Sequence, residues 1–204
     1  MHADLAPERL LAAYAVGIFP MADDDGELHW LAPDPRTVIN LDSFTVSRSL
    51  RVVVQRGVFE VSVNRAFAEV VSACADRPEG TWISAEIAEA YSELHRLGFC
   101  HSIEAWKDDR LAGGLYGVAL AGAFFGESMF YRVTDASKVA LVKLVERMRD
   151  RGFKLLDVQF ATEHLRRFGA VEIPRREYER RLAEALRVSC WFDEAPGSLS
   201  RTSK

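Results

Sequence analysis

The chain has 204 residues, with 26 Lys+Arg against 30 Asp+Glu and a formal net charge of −4. Its 49% hydrophobic and 10% aromatic content supplies a folded core and excludes general disorder, and the length accommodates one large domain or two small ones at roughly 100–200 residues each. An acidic total argues against a protein that grips nucleic acid over a broad face.

Residues 7–16 read as a helix that opens on Pro7 and carries Leu10, Leu11 and Tyr14 on one face. Residues 17–21, Gly-Ile-Phe-Pro-Met, read as a turn bearing apolar side chains. Residues 23–26 are an acidic loop, and 37–41 read as a strand. The first 34 residues are expected to form a small N-terminal domain, residues 35–193 the main domain, and 194–204, rich in Ser, Gly and charge, a loose tail. Residues 43–56 read as a helix, against the strand preference of Val52, Val53 and Val54. This helix carries the basic cluster Arg48, Arg51 and Arg56. Residues 59–63 alternate as a strand, Asn64 is expected to cap a helix running through Ala75, and Ser84 caps a further helix closed by Leu97-Gly98. From His101 to Phe130 the period becomes two. It predicts strands over 101–107, 110–119 and 121–130, with turns at Asp108-Asp109 and Ala121-Gly122. A helix over 136–151 stopped by Gly152, a strand over 154–160, a short helix over 162–168 and a helix over 174–187 complete the pattern. The class is α+β, with helices packed on a sheet. Acyltransferases of the acetyltransferase superfamily have this shape, and so do many unrelated proteins.

No apolar run approaches the ~20 residues of a spanning helix. The opening Met1-His2-Ala3-Asp4 lacks the pattern of a secretory leader. Cys74, Cys100 and Cys190 fit neither a disulfide framework nor a zinc site, which points to a reducing cytoplasm. The histidines lack paired ligand spacing, so no metal is expected. No GxxxxGK[ST], GxGxxG or acetyl-CoA loop is present.

Asp157 and Gln159 lie two apart on an apolar strand, so a carboxylate and an amide project from one face. Either they satisfy the local backbone at a strand end, or they orient a reacting amine or carbonyl. Glu127 lies in Gly126-Glu127-Ser128-Met129-Phe130, where alternation places Glu127 with Met129 and Ser128 with Phe130. An unpaired buried carboxylate is costly, so Glu127 reaches solvent, joins an internal salt bridge, or meets a cation brought by a ligand. Gly113 and Gly114 inside a strand mark a bulge or a close backbone approach. Trp82 follows Gly80-Thr81 at a loop-to-helix junction, a place suited to stacking on a base as well as to core packing. Lys138 at a helix N-terminus is unfavourable on its own and hints at a nearby anion.

Several strings recur in a specific order: Tyr14-x-x-Gly17-Ile18-Phe19-Pro20-Met21, Trp30-x-x-Pro33-Asp34-Pro35-Arg36, Gly80-Thr81-Trp82-Ile83, His101-Ser102-Ile103-Glu104-x-Trp106, Gly113-Gly114-Leu115-Tyr116-Gly117, Gly126-Glu127-Ser128-Met129-Phe130, Ala136-Ser137-Lys138, Asp157-x-Gln159, His164-Leu165 and Gly169-Ala170. Together they span about residues 5–182, and the chain resembles the bacterial leucyl/phenylalanyl-tRNA–protein transferases. The resemblance implies a small N-terminal domain joined to an acetyltransferase-like (GNAT-like) domain. It implies transfer of Leu or Phe, sometimes Met, from aminoacyl-tRNA to proteins with N-terminal Lys or Arg, marking them for N-degron-directed degradation. No metal, CoA or other cofactor is implied, and no DNA or membrane partner. By position Asp157 and Gln159 match the catalytic pair, and Glu127 the receiver of the acceptor's basic side chain. Leu115, Met129, Leu141 and Leu156 match the donor amino-acid pocket. Trp82 matches an adenosine-stacking residue. Met21 stands where some members carry a second Trp, and Thr162 where an Asn is common.

An aminoacyl ester is already activated, so the chemistry asks mainly for positioning of a neutral amine. A non-catalytic relative that binds basic N-termini or tRNA ends, and a related enzyme with another acyl donor, are the competing expectations. The charge total also hides a segregation. Residues 138–187 hold 13 Lys+Arg against 8 Asp+Glu, and the rest 13 against 22. Local basic patches, with Arg48, Arg51 and Arg56 among them, suffice to hold one end of an RNA.

Overall fold

The computed structural model describes residues 5–23, 25–78 and 80–193; the expected loose tail over 194–204 lies outside them. In chain order the elements are α1 (Pro7–Ala15), β1 (Phe19–Ala22), β2 (Leu28–Leu31), β3 (Arg36–Ile39), α2 (Arg48–Gln55), β4 (Glu60–Val63), α3 (Phe67–Ala75) and α4 (Ala85–Arg96). They continue with β5 (Cys100–Lys107), β6 (Arg110–Leu120), β7 (Ala123–Tyr131), α5 (Ala136–Arg151), β8 (Leu155–Gln159), the single turn α6 (Glu163–Arg166), β9 (Ala170–Ile173) and α7 (Arg175–Ala185). β1 and β2 pair as a hairpin of their own. The other strands form one mixed sheet in the order β4-β5-β6-β7-β8-β3-β9, parallel only between β7 and β8. This is the α+β class expected from the sequence.

Local chemistry accounts for most element ends. Ser47 and Ser84 cap α2 and α4 by accepting the N–H groups of Leu50 and Ile87. Asp108 and Asp109 both adopt positive φ, the backbone of a two-residue hairpin turn. Gly152 ends α5 in the left-handed region. Three local readings are corrected. The segment over 17–21 turns at Gly17, with φ +78°, but enters β1 at Phe19. The short strands β2 and β9 were not predicted. Asn64 does not cap α3, which starts at Phe67. Its own backbone is left-handed, and its side chain accepts from Ser102 N and donates to Asp193 Oδ2.

The core lies on both faces of the sheet. On one face Leu10 and Tyr14 (α1), Val70 and Val71 (α3), Ile87 and Tyr91 (α4) and Tyr178 and Leu182 (α7) pack with Val38, Tyr116, Val118, Phe125 and Leu155 from the strands. On the other, Leu50 (α2) and Val139 to Met148 (α5) pack with Ile39, Ile103, Leu115, Phe124 and Leu156. Phe124 and Phe125 therefore face opposite ways, as do Leu155 and Leu156, which is the period of a strand buried on both sides.

Candidate active site

β7 and β8 pair only where Ala123, Phe124 and Phe125 meet Leu155, Leu156 and Asp157. Past that point both strands line a cavity of about 960 Å³, with Gly126 to Met129 on one wall and Val158 and Gln159 on the other. The fold thus opens its own sheet at the C-terminal ends of its two parallel strands.

The apolar end of the cavity lies against α5. Leu115, Met129, Leu141 and Leu156 all line it, joined by Leu144 and Val158. Leu115 and Met129 are opposite one another in the β6–β7 ladder, so they share a face. Met21 and Trp82 also line the cavity. They sit on neighbouring backbone, since Ala22 N–H donates to the carbonyl of Trp82. Arg48, Arg51 and Arg56 are exposed on and beside α2 and do not line it.

The polar end is made by a bulge. Gly117 pairs with Gly126 and Tyr116 with Ser128, leaving Glu127 as the extra residue of β7. A Cβ at position 117 would lie 2.2 Å from the carbonyl oxygen of Phe125, so only glycine permits this approach. The bulge overturns the expected alternation. Met129 stays on the α5 face, while Glu127 turns to the tyrosines of α1 and α4 on the other. Tyr14 donates to Glu127 Oε1 at 2.8 Å and Tyr91 to Oε2 at 3.1 Å. The side-chain amide of Gln159 donates to Oε1 at 3.1 Å. Glu127 is 7% exposed, lines the cavity and forms no salt bridge among the described residues. Burial pushes its carboxyl up to about 7, against the pull of the two tyrosine hydroxyls. The tyrosines are driven well above their ordinary range by the same burial.

Gln159 ends β8 with φ +61°, and the N–H of Phe160 donates back to the carbonyl of Val158 at 2.7 Å. This is a γ-turn centred on a left-handed non-glycine residue, a strained conformation worth ~1–3 kcal/mol. Asp157 helps to hold it: Oδ1 accepts the Gln159 main-chain N–H at 2.9 Å. Asp157 is fully buried and does not line the cavity. Arg36 Nε donates to both its oxygens, at 3.0 and 3.1 Å, Arg36 Nη2 donates to Oδ2 at 2.8 Å, and Tyr178 donates to Oδ2 at 2.7 Å. With every acceptor position engaged, the carboxylate holds the Gln159 main chain and presents no free oxygen to the cavity.

Sequence reasoning gave no role to Arg36, Tyr14, Tyr91 or Tyr178. Arg36 is 1% exposed, donates to the carbonyl of Gly17 at 3.1 Å and lies between the rings of Phe19 and Tyr178. Its sequence signals are its place in Trp30-x-x-Pro33-Asp34-Pro35-Arg36 and a charge at the head of the strand Arg36–Ile39. Lys138, read as a hint of an anion, pairs with Asp135 at 2.7 Å. Thr162 caps α6 by accepting from Leu165 N–H. Asp23 and Glu27 of the β1–β2 loop approach His29 on β2, Asp23 accepting from Glu27 N and contacting His29; they are exposed and lie outside the cavity lining.

The family model described as leucyl/phenylalanyl-tRNA protein transferase matches residues 38–183, and the model of that protein's N-terminal domain matches residues 3–34. The leucyl/phenylalanyl-tRNA–protein transferase of Salinibacter ruber is 56% identical over 190 residues, covering 93% of this chain and 84% of that one. The protein of the same name from Gloeobacter violaceus is 55% identical over 193 residues, 94% of this chain and 100% of that one. Among solved structures, L-PGS from Bacillus licheniformis overlaps with a TM-score of 0.43 at 14% identity, over 78% of this chain and 55% of that chain. A GCN5-related N-acetyltransferase-like protein from Streptococcus suis overlaps with a TM-score of 0.34 at 13% identity, over 92% and 64%. Those overlaps are too slight to add to the fold described above. The family models and the relatives agree along nearly the whole chain, and on that ground it belongs to the leucyl/phenylalanyl-tRNA–protein transferases, a family of aminoacyltransferases.

Proposed function

We propose that the protein moves leucine or phenylalanine from the 3′ end of an aminoacyl-tRNA to the α-amino group of proteins that begin with Lys or Arg, in the cytoplasm, creating an N-terminus read by N-degron-directed degradation. The observation that carries this reading is the Gln159–Glu127 hydrogen bond at the boundary between an apolar pocket and a buried carboxylate. The donor side chain lies among Leu115, Met129, Leu141 and Leu156. An unbranched thioether such as Met129 adapts to aliphatic and aromatic side chains alike, and discrimination against one fewer methylene is only ~1–3 kcal/mol. The terminal base stacks on Trp82 beside Met21, and Arg48, Arg51 and Arg56 face phosphates farther along the RNA.

The acceptor's basic side chain meets Glu127. Burial holds that carboxyl near 7 while it lacks a cation. An arriving ammonium or guanidinium restores the charged form, whereas a neutral side chain leaves the desolvation cost in place. Selection for Lys and Arg follows. The neutral α-amine attacks the ester carbonyl carbon, a C–N bond forms, and the C–O bond to the ribose breaks. The proton lost from nitrogen ends on the departing ribose oxygen. Gln159 holds the amine against the carbonyl through its side-chain oxygen, and Asp157 fixes Gln159. Most of the rate gain is positioning, and an activated ester calls on no metal or coenzyme.

The test is incubation with radiolabelled Leu-tRNA or Phe-tRNA and a substrate with N-terminal Arg. Label should move to the acceptor. Intact binding of both partners without transfer would instead make the protein a binding module.

A further inference from the structure

Arg77, just past the end of α3, lines the cavity in one loop with Gly80, Thr81 and Trp82. Its guanidinium is fixed by neutral acceptors. Nε donates to the carbonyl of Cys74 at 3.1 Å, and Nη2 donates to Ser128 Oγ at 3.2 Å and to the carbonyl of Met129 at 3.0 Å. These bonds tie the end of α3 to β7 beside Met129, which lines the apolar end of the cavity. Nη1 has no acceptor among the described residues, and the side chain is exposed.

Charge accounting singles Arg77 out. Two other Lys or Arg side chains line the cavity, and each has a carboxylate: Lys138 with Asp135 and Arg167 with Glu163. Arg77 has none among the described residues. The carboxylates of the cavity lining are themselves committed, Asp135 to Lys138 and Glu127 to two tyrosines and an amide. A guanidinium already held in one orientation has little rotamer entropy left to lose, and its open edge fits an oxyanion. A cationic acceptor is repelled by it, so Arg77 belongs to the donor's half of the site.

We infer that Arg77 binds the phosphodiester that joins the donor RNA's terminal nucleotide to the one before it. This rests on the reading above, in which the terminal base stacks on Trp82 and the 3′ ester enters the apolar pocket. The 5′ side of that nucleotide carries one negative charge, and Arg77 supplies the cation on that wall.

The test uses two non-hydrolysable donors. One is adenosine with phenylalanine in amide linkage at the 3′ position; the other is the same compound with a methyl phosphodiester at the 5′ position. Affinity for each is measured with the wild-type protein, with Arg77→Gln and with Arg77→Lys, at low and high KCl. In the wild type the phosphodiester should tighten binding about tenfold at low salt, and less at high salt. In Arg77→Gln that gain should shrink below about twofold, and Arg77→Lys should retain part of it. Because the gain is a ratio within one protein, a general loss of fold moves both affinities and leaves it readable in the wild type. Absence of a gain in the wild type, or an undiminished gain in Arg77→Gln, overturns the assignment. Failure of the wild type to bind either compound overturns the donor reading itself, and the assignment with it.

Discussion

The Arg36–Asp157 pair is 1% and 0% exposed, and removing either partner should expose an asymmetry. Breaking a buried pair costs about 3–5 kcal/mol, a large share of a typical stability of ~5–15 kcal/mol. In Asp157→Asn the guanidinium stays charged at every accessible pH, so the loss should not fade between pH 8 and pH 5.5. In Arg36→Met the carboxylate keeps Tyr178 and the Gln159 N–H as donors, so the loss should be the smaller of the two. The double replacement leaves no uncompensated charge. It should lose only about 2–3 kcal/mol, where the single losses would sum to about 6–10. Urea unfolding at both pH values reads these energies. Transfer assays alongside should show turnover down by ~10–100-fold in Asp157→Asn and in the double variant, where Gln159 loses the charged acceptor that holds its strained turn. A double variant that is stable yet slow would separate positioning from folding. Costs that add to within ~0.5 kcal/mol would refute the coupling, and an Asp157→Asn loss that faded in acid would refute the charge argument.

Glu127→Gln should reduce transfer to acceptors beginning with Lys or Arg about tenfold more than transfer to acceptors with an uncharged first residue; equal losses would assign Glu127 a structural role. Asp157→Ala should lower turnover more than affinity for the donor RNA, and unchanged turnover would remove it from the site. The pH dependence of stability has two opposing parts. Glu127 is raised from 4.5 to about 7, so its stabilising contribution is complete below pH 4.5 and lost as pH rises through 7, about 3 kcal/mol in all. Burial lowers His101 from 6.5 to about 4, so its contribution is present above pH 6.5 and lost as pH falls through 4. The wild type should be nearly flat between these limits, and Glu127→Gln should become more stable with rising pH; parallel profiles would refute the assignment. Gly17→Ala places a Cβ 2.6 Å from Tyr178 Cε1 at a φ of +78°. It should cost ~1–3 kcal/mol and slow transfer by displacing Tyr178 from Asp157; a lower Tm with unchanged kcat would sever that link.

Long periodic elements were legible in the sequence because their information is local. The bounds of α5 and the two hairpin turns of β5–β6–β7 follow from helical period, Gly152, Asp108-Asp109 and Ala121-Gly122. β1, β2 and β9 lie among the turn residues Gly17, Pro20, Gly26, Gly169 and Pro174, which mask them, whereas β3 and β4, equally short, read as strands. Apolar residues 17–21 resemble a turn because one of them, Gly17, is one. The orientation of Glu127 was misread because a bulge adds one residue to the count, and nothing in Gly126-Glu127-Ser128 announces it apart from the glycines at 117 and 126. The apolar lining of the cavity was named from family resemblance, and the structure brings its four residues together. Arg36, Tyr14, Tyr91 and Tyr178 stayed silent because their partners lie 19 to 121 residues away. No window along the chain contains both ends of such a contact.

The place of β3 in the sheet sets a timetable for synthesis. It lies between β8 and β9, strands made long after it. Arg36 waits 121 residues for Asp157, roughly 6–24 s at ordinary elongation rates. During that interval Arg36 has no Asp157 to pair with, and the cavity has only one of its two walls. The last strand in the chain, β9, pairs with β3 at the edge of the sheet, Arg36 opposite Ile173. A nascent chain that ends before Asp157 therefore has neither the carboxylate that pairs with Arg36 nor the second wall of the cavity.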